Sequence, residues 1–253
     1  MVIDLDTARR TAKWARDDIA ALESEIIAYV ARGPFRDATS WVIESQSYNL
    51  ALEMEPIPEA IDREVYRAIV DMRNALDQAA FGASSAIGTR ASRKTGFPFG
   101  DDYLTYRKAI TKGLYKGIPS QLHPAFDALE PYWSFPDRSG NDFLRELAEL
   151  ANLAKHRIPL TAVPETLAWN FLESYGVSAT LKRAKFVNGR IEFGTVKTHD
   201  KSFSFSFEPS FMISITLTHG RTVPVERFLS RIAEEVDRAI ATLDAALAQL
   251  GFA

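Results

Sequence analysis

Arg73 and Asp77 form the first candidate functional pair in the sequence. Four residues apart on a helix, they would lie on one face, where a carboxylate can hold a guanidinium in position to bind a phosphate or carboxylate group. Asn74 lies beside them and adds a hydrogen-bonding amide. The same spacing also fits a structural ion pair that orients the helix, so both interpretations stay open.

A second polar cluster lies between Asn152 and Arg157. Asn152 and His156 would share a helix face, and Lys155 and Arg157 add two cations beside them. Because histidine titrates near neutral pH, His156 could act as a general acid or base next to a phosphate bound by its neighbours. Cations in the last turn of a helix also stabilise its dipole without any further function.

These clusters lead to two hypotheses. The first is an interaction or anion-binding module, in which the polar residues meet between two helices and bind RNA, another anionic ligand or a protein partner. The second is a metal-independent ribonuclease, with His156 and Arg73 as catalytic residues. The binding residues in either case are Asp77, Asn74, Asn152, Lys155 and Arg157. The sequence contains no metal-ligand spacing, phosphate-binding loop or dinucleotide fingerprint, so we expect neither metal nor cofactor.

The composition favours a cytoplasmic protein. The chain has 253 residues, of which 46% are hydrophobic, enough to bury a core without disulfides or metals. It has no cysteine, which excludes disulfides and thiolate metal sites. The net charge of −3 gives no overall attraction to nucleic acid or to an anionic membrane. No apolar run approaches the ~20 residues of a membrane-spanning helix.

Helical periodicity dominates the first two-thirds of the chain, where apolar residues recur every three or four positions. Trp14 belongs to the apolar face of the first such segment. The predicted helices cover residues 6–31, 58–81, 101–111, 121–132 and 141–157. Strand-forming residues near 38–54 predict a short β-hairpin. The glycine- and serine-rich segment 82–100 is predicted to be a loop that docks by Phe97 and Phe99.

Alternation with period two replaces helical periodicity after Pro159. It predicts strands at 203–207 and 213–218, and Asn188-Gly189 predicts a tight hairpin turn. A long apolar stripe from Phe228 to Leu247 predicts a C-terminal helix. The sequence therefore predicts an α+β protein. A helical region, 1–158, precedes an antiparallel β-meander with its closing helix, 159–253, and the two are expected to pack as one unit.

The segments around the polar clusters resemble a family of uncharacterised bacterial proteins. The similarity rests on Met72-Arg73-Asn74-Ala75-Leu76-Asp77, on Phe97-Pro98-Phe99, on Leu129-Glu130-Pro131-Tyr132 and on Asn152 to Arg157. It implies a helix-rich front part and a β-rich tail. The helices also bear a looser similarity to HEPN-type ribonuclease folds, which implies metal-independent RNA cleavage of the kind found in defence or toxin effectors. The chain departs from their pattern, since no histidine follows an arginine by four to six residues.

Overall fold

The structure is a computed structural model that describes residues 5–88, 95–112, 117–134, 140–154, 160–171, 178–187, 190–197 and 205–252. It confirms the α+β class, with helices in the first part of the chain, most strands in the middle and a long C-terminal helix. The helices are α1 (Asp6–Ala31), α2 (Glu59–Ala86), α3 (Tyr103–Lys112), α4 (His123–Asp127), α5 (Asp142–Leu153) and α6 (Val225–Gln249). The strands are β1 (Phe35–Asp37), β2 (Ser40–Val42), β3 (Ser47–Met54), β4 (Leu160–Phe171), β5 (Ser178–Val187), β6 (Arg190–Lys197), β7 (Phe205–Thr216) and β8 (Thr222–Pro224).

The chain divides into two compact units, each built from separate stretches of sequence. The first unit contains Met1–Glu23, Ala60–Pro159 and Ile215–Ala253, and the second contains Ser24–Glu59 and Leu160–Ser214. The predicted boundary after residue 158 lies next to one of the points where the chain passes between units. The predicted division into 1–158 and 159–253 nevertheless differs from this one, because each unit combines stretches from both predicted regions.

Antiparallel strands form the sheet of the second unit. Its order is β1-β3-β6-β5, and β2 also pairs with β3, so the hairpin predicted near 38–54 is present. In the β5–β6 hairpin, Val187 pairs with Arg190, which confirms the predicted two-residue connection. The connecting residues themselves lie outside the described residues. A three-stranded sheet has the order β4-β7-β8. The predicted strand structure is present at residues 205–207 and 213–216, but these belong to one strand and not two, because β7 runs from Phe205 to Thr216 without a break.

Helices α1, α2, α4, α5 and α6 pack around the apolar core of the first unit. Its side chains include Leu22, Ile69, Leu76, Leu147, Ile232 and Val236, none of which is more than 1% exposed. Both α4 and α5 pack against α6. Thr11 of α1 donates a hydrogen bond of 2.8 Å to Gln78 of α2. Among the described residues, no helix has the length and apolar character needed to cross a membrane.

Four helix predictions need correction. The helix predicted at 141–157 ends at Leu153, and Ala154 is its C-cap. The helix predicted at 121–132 ends at Asp127, because Glu130 takes a positive φ of 48° that no α-helix contains. Helix α2 continues past Phe81 to Ala86, since the small residues after Phe81 fit against the core. Trp14 lies outside the core, with half of its surface exposed. The guanidinium of Arg10 lies over its ring at 5.9 Å from the centroid, which partly covers the indole.

Candidate functional site

A cleft of about 330 Å³ opens beside α2 and the last turn of α5, both of which belong to the first unit. Its lining residues are Tyr66, Val70, Arg73, Asn74, Asp77, Ala151, Asn152 and Ala154. Those from α2 fall three or four positions apart, which places them on one helix face beside the apolar stripe that packs into the core. The helix that builds the core therefore also presents one wall of the cleft.

Arg73 is the charged donor of this wall, and its side chain is 25% exposed. Its Nε lies 3.1 Å from Oδ2 of Asp77, one helical turn further along α2. Its guanidinium carbon lies 4.3 Å from the centroid of the Phe99 ring, which is a cation–π contact. Among the described residues, neither terminal nitrogen of Arg73 has a hydrogen-bond partner. The guanidinium is thus fixed in orientation, and within the described part of the chain its terminal donors have no partner.

Asp77 links α2 to the segment that follows residue 94. Its Oδ1 accepts a hydrogen bond of 2.8 Å from the backbone N–H of Phe97. A Cβ atom on Gly96 would lie 3.0 Å from the same oxygen, so glycine lets the backbone come this close to the carboxylate. One oxygen of Asp77 therefore binds the backbone and the other binds Arg73, and the negative charge has a partner on each side.

Phe97 and Phe99 anchor the segment behind the cleft, as predicted. Their relative exposures are 0% and 8%, and their ring centroids lie 5.0 Å apart. Phe97 also makes an edge-on contact with Phe126 of α4 at 5.5 Å. Aromatic packing of this kind fixes the ring of Phe99, which in turn supports the guanidinium of Arg73.

Helix α5 carries Asn152 to the opposite side of the cleft, and its first turn is firmly attached. The side chain of Asn141 caps the helix by accepting a hydrogen bond from Leu144 N at 3.1 Å. Its amide also donates to Glu235 of α6 at 2.7 Å. Further along, Arg145 pairs with Asp101 and Glu149, each at 2.5 Å. These contacts determine where the last turn of α5 lies.

The structure brings part of the predicted site together. Arg73, Asn74, Asp77 and Asn152 all line the cleft. The remaining predicted residues, Lys155, His156 and Arg157, lie outside the described residues. The sequence reasoning missed Phe99 as a support of Arg73 and Gly96 as the close neighbour of Asp77, and it did not count Tyr66 as a site residue. Helical spacing from Arg73 could have pointed to Tyr66, whereas no local pattern connects Phe99 or Gly96 with α2.

The described part of the chain contains no group of three or more acidic or histidine side chains arranged to hold a metal ion. Two of the histidines lie within it. His219 packs its ring on Trp133 with centroids 4.5 Å apart, and His123 precedes Pro124 at the start of α4. Neither lines the cleft.

Comparison of the chain with protein-family models, with curated proteins and with solved structures found no match. The resemblance to a bacterial family and the looser HEPN-type similarity therefore stay predictions. The ribonuclease hypothesis also stays a prediction, because the position of its general acid or base, His156, is not described.

The hydrogen bonds and the exposure of Arg73 and Asp77 indicate whether the two residues form a binding site or only a structural ion pair. A structural lock excludes water and satisfies its polar groups internally, whereas a binding site opens to solvent with donors to spare. Both oxygens of Asp77 have partners, as in a lock, although its side chain is 37% exposed. Arg73 fits the description of a binding site, because it is partly exposed in the cleft and uses one of its nitrogens on Asp77. Arg73 can therefore bind an anion while Asp77 holds it in place.

Proposed function

We propose that the cleft beside α2 and α5 is an anion-binding site and that Arg73 is its main cationic ligand. The observation that carries this proposal is the geometry of Arg73, whose Nε is bound by Asp77 and whose flat face rests on Phe99. A guanidinium held at Nε and on one face keeps a fixed orientation beside the cleft that Arg73 lines. The fork of its two terminal nitrogens matches two oxygens of a phosphate or carboxylate group.

Pre-organisation favours binding here. A free arginine loses side-chain conformational freedom when it binds a ligand, and this loss weakens the complex. Arg73 is already held by its two neighbours, so less freedom remains to be lost. The amides of Asn74 and Asn152 are exposed on the same cleft and can complete the hydrogen bonding of an anion.

Titration calorimetry with inorganic phosphate and with acetate tests the proposal. We expect the wild-type protein to bind at least one of these anions, and the affinity to fall by tenfold or more in Arg73→Gln. Loss of a charged, two-pronged hydrogen bond is worth about 1.5–3 kcal/mol, which corresponds to this factor. Binding should also weaken as salt is added, since the cleft is open to solvent.

Arg107→Gln provides the matched control. Arg107 is also a half-buried arginine in an ion pair, bound to Asp127 at 2.7 Å, and it does not line the cleft. We expect this variant to bind the anion as the wild type does. The proposal would be wrong if the wild type bound neither anion, or if both variants weakened binding equally.

A further inference from the structure

We infer that the anion bound in the cleft is the phosphate of a nucleotide, whose base stacks on the ring of Tyr66. This inference rests on the proposed anion site and adds the class of ligand. Tyr66 lines the same cleft as Arg73, yet 45% of its surface is exposed. A tyrosine that packed as part of the core would be covered. The ring is instead open to a flat partner.

The positions of Tyr66 and Arg73 set the size of that ligand. They are seven residues apart on one face of α2, which corresponds to about 10.5 Å along the helix axis. A phosphate and an aromatic base joined through a sugar span a comparable distance. A cleft of about 330 Å³ lies at the lower end of small-molecule sites. It therefore suits one nucleotide unit, either free or at one position of a single strand.

The surroundings of Tyr66 suit a base better than another flat group. Val70 lies one turn further along α2, between Tyr66 and Asn74, and contributes an apolar surface to the cleft wall. The exposed amide of Asn152, on the other wall of the cleft, carries a donor and an acceptor, which is what the polar edge of a base requires. In the described residues, the ring of Tyr66 makes no aromatic or cation–π contact that a base would have to displace.

Calorimetry with adenosine 5′-monophosphate, ribose 5-phosphate and inorganic phosphate tests this inference. The first two share a phosphate and a sugar and differ in the base. We expect the nucleotide to bind the wild type at least tenfold more tightly than the sugar phosphate. A base stacked on an aromatic side chain contributes an effect of this size. A single-stranded tetra-adenylate, added in a further titration, identifies the source of the nucleotide as a free molecule or as a strand, according to which binds more tightly.

Two variants at position 66 complete the test. Tyr66→Phe keeps the ring and should keep the preference for the nucleotide, whereas Tyr66→Ala should abolish it while phosphate binding remains. Equal affinity for the nucleotide and the sugar phosphate would overturn the inference and leave the anion site standing. So would a preference that survives in Tyr66→Ala. If none of the phosphates bound, this inference would fail, and the acetate titration would decide whether the anion site stands. Thermal unfolding of each variant checks that the fold is intact.

Discussion

Arg73 and Asp77 are a pair in sequence, but they play different parts in the structure. Asp77 accepts a hydrogen bond from the backbone N–H of Phe97 and so links α2 to that segment. Arg73 lines the cleft, and its guanidinium contacts the ring of Phe99. A partly exposed ion pair contributes little to stability by itself. The hydrogen bond that the backbone N–H of buried Phe97 donates to Asp77 contributes more, because breaking it leaves a donor without a partner. The two residues should therefore respond differently to substitution.

We expect Asp77→Ala to lower the free energy of unfolding by about 1–3 kcal/mol, which is the cost of an unsatisfied buried donor. Arg73→Gln should lower it by at most about 1 kcal/mol, the usual contribution of an exposed ion pair. Urea denaturation of both variants measures the difference. A loss in Arg73→Gln as large as that in Asp77→Ala would mean that Arg73 is part of the structural lock, and would argue against a binding role.

One face of α2 and one face of α5 line the cleft, and their other faces pack into the core. Five of the residues that line the cleft come from α2, two come from the last turn of α5, and Ala154 is the C-cap of α5. The position of Asn152 thus depends on how α5 is fixed at its start, about three turns away. Asn141 determines that start, because it caps α5 and also binds Glu235 of α6.

Substitutions at Asn141 should separate these two contacts. Asn141→Ser keeps the capping oxygen and loses the amide that binds Glu235, whereas Asn141→Ala loses both. We expect Asn141→Ala to be the less stable by about 0.5–2 kcal/mol, the usual contribution of a helix cap. Urea denaturation of the two variants gives this difference. Equal stabilities would show that the cap contributes nothing to α5.

Helical spacing explains how much of these elements the sequence could predict. The i, i+4 relation of Arg73 and Asp77 follows from the geometry of α2 alone, and so does the stripe that buries its core face. The contact of Arg73 with Phe99 connects residues 26 positions apart across a loop, so no periodic pattern contains it. The end of α4 was missed for a similar reason, since the positive φ of Glu130 depends on turn geometry and not on apolar spacing.

Each compact unit of the molecule combines separate stretches of the chain. The first unit joins the start of the chain, its middle and its C-terminal helix, and the second joins β3 with β6 across more than a hundred residues. Which distant elements pack together depends on how well their surfaces fit. Local sequence patterns do not contain this information. The sequence therefore predicted most elements, including α1, α2 and α6, but not which distant elements share a unit.

Contacts between distant helices also bring acidic groups together in the first unit. Asp18 of α1 lies near Glu64 and Asp71 of α2, with Arg67 as the opposing charge. Burial, and then repulsion from the two carboxylates, raises the pKa of Asp18 above its ordinary value of 3.8. Burial likewise raises the pKa of Asp71. The folded state therefore holds protons on these groups at a pH where the unfolded chain has lost them.

Because of this difference in proton binding, the stability of the folded state should depend on pH. A raised carboxyl pKa destabilises the folded state at a pH above the folded-state pKa. This penalty decreases as the pH falls from the folded-state pKa toward the ordinary pKa of 3.8. Asp18→Asn removes the charge, so we expect a higher melting temperature than wild type at pH 7 and a smaller difference near pH 4. Asp17→Asn is the control, because it removes the same charge from an exposed pair with Lys13. Calorimetric melting across this pH range measures both variants. A melting temperature of Asp18→Asn at or below that of the wild type at pH 7 would show that Asp18 is stabilised as a carboxylate, and that Arg67 outweighs its acidic neighbours.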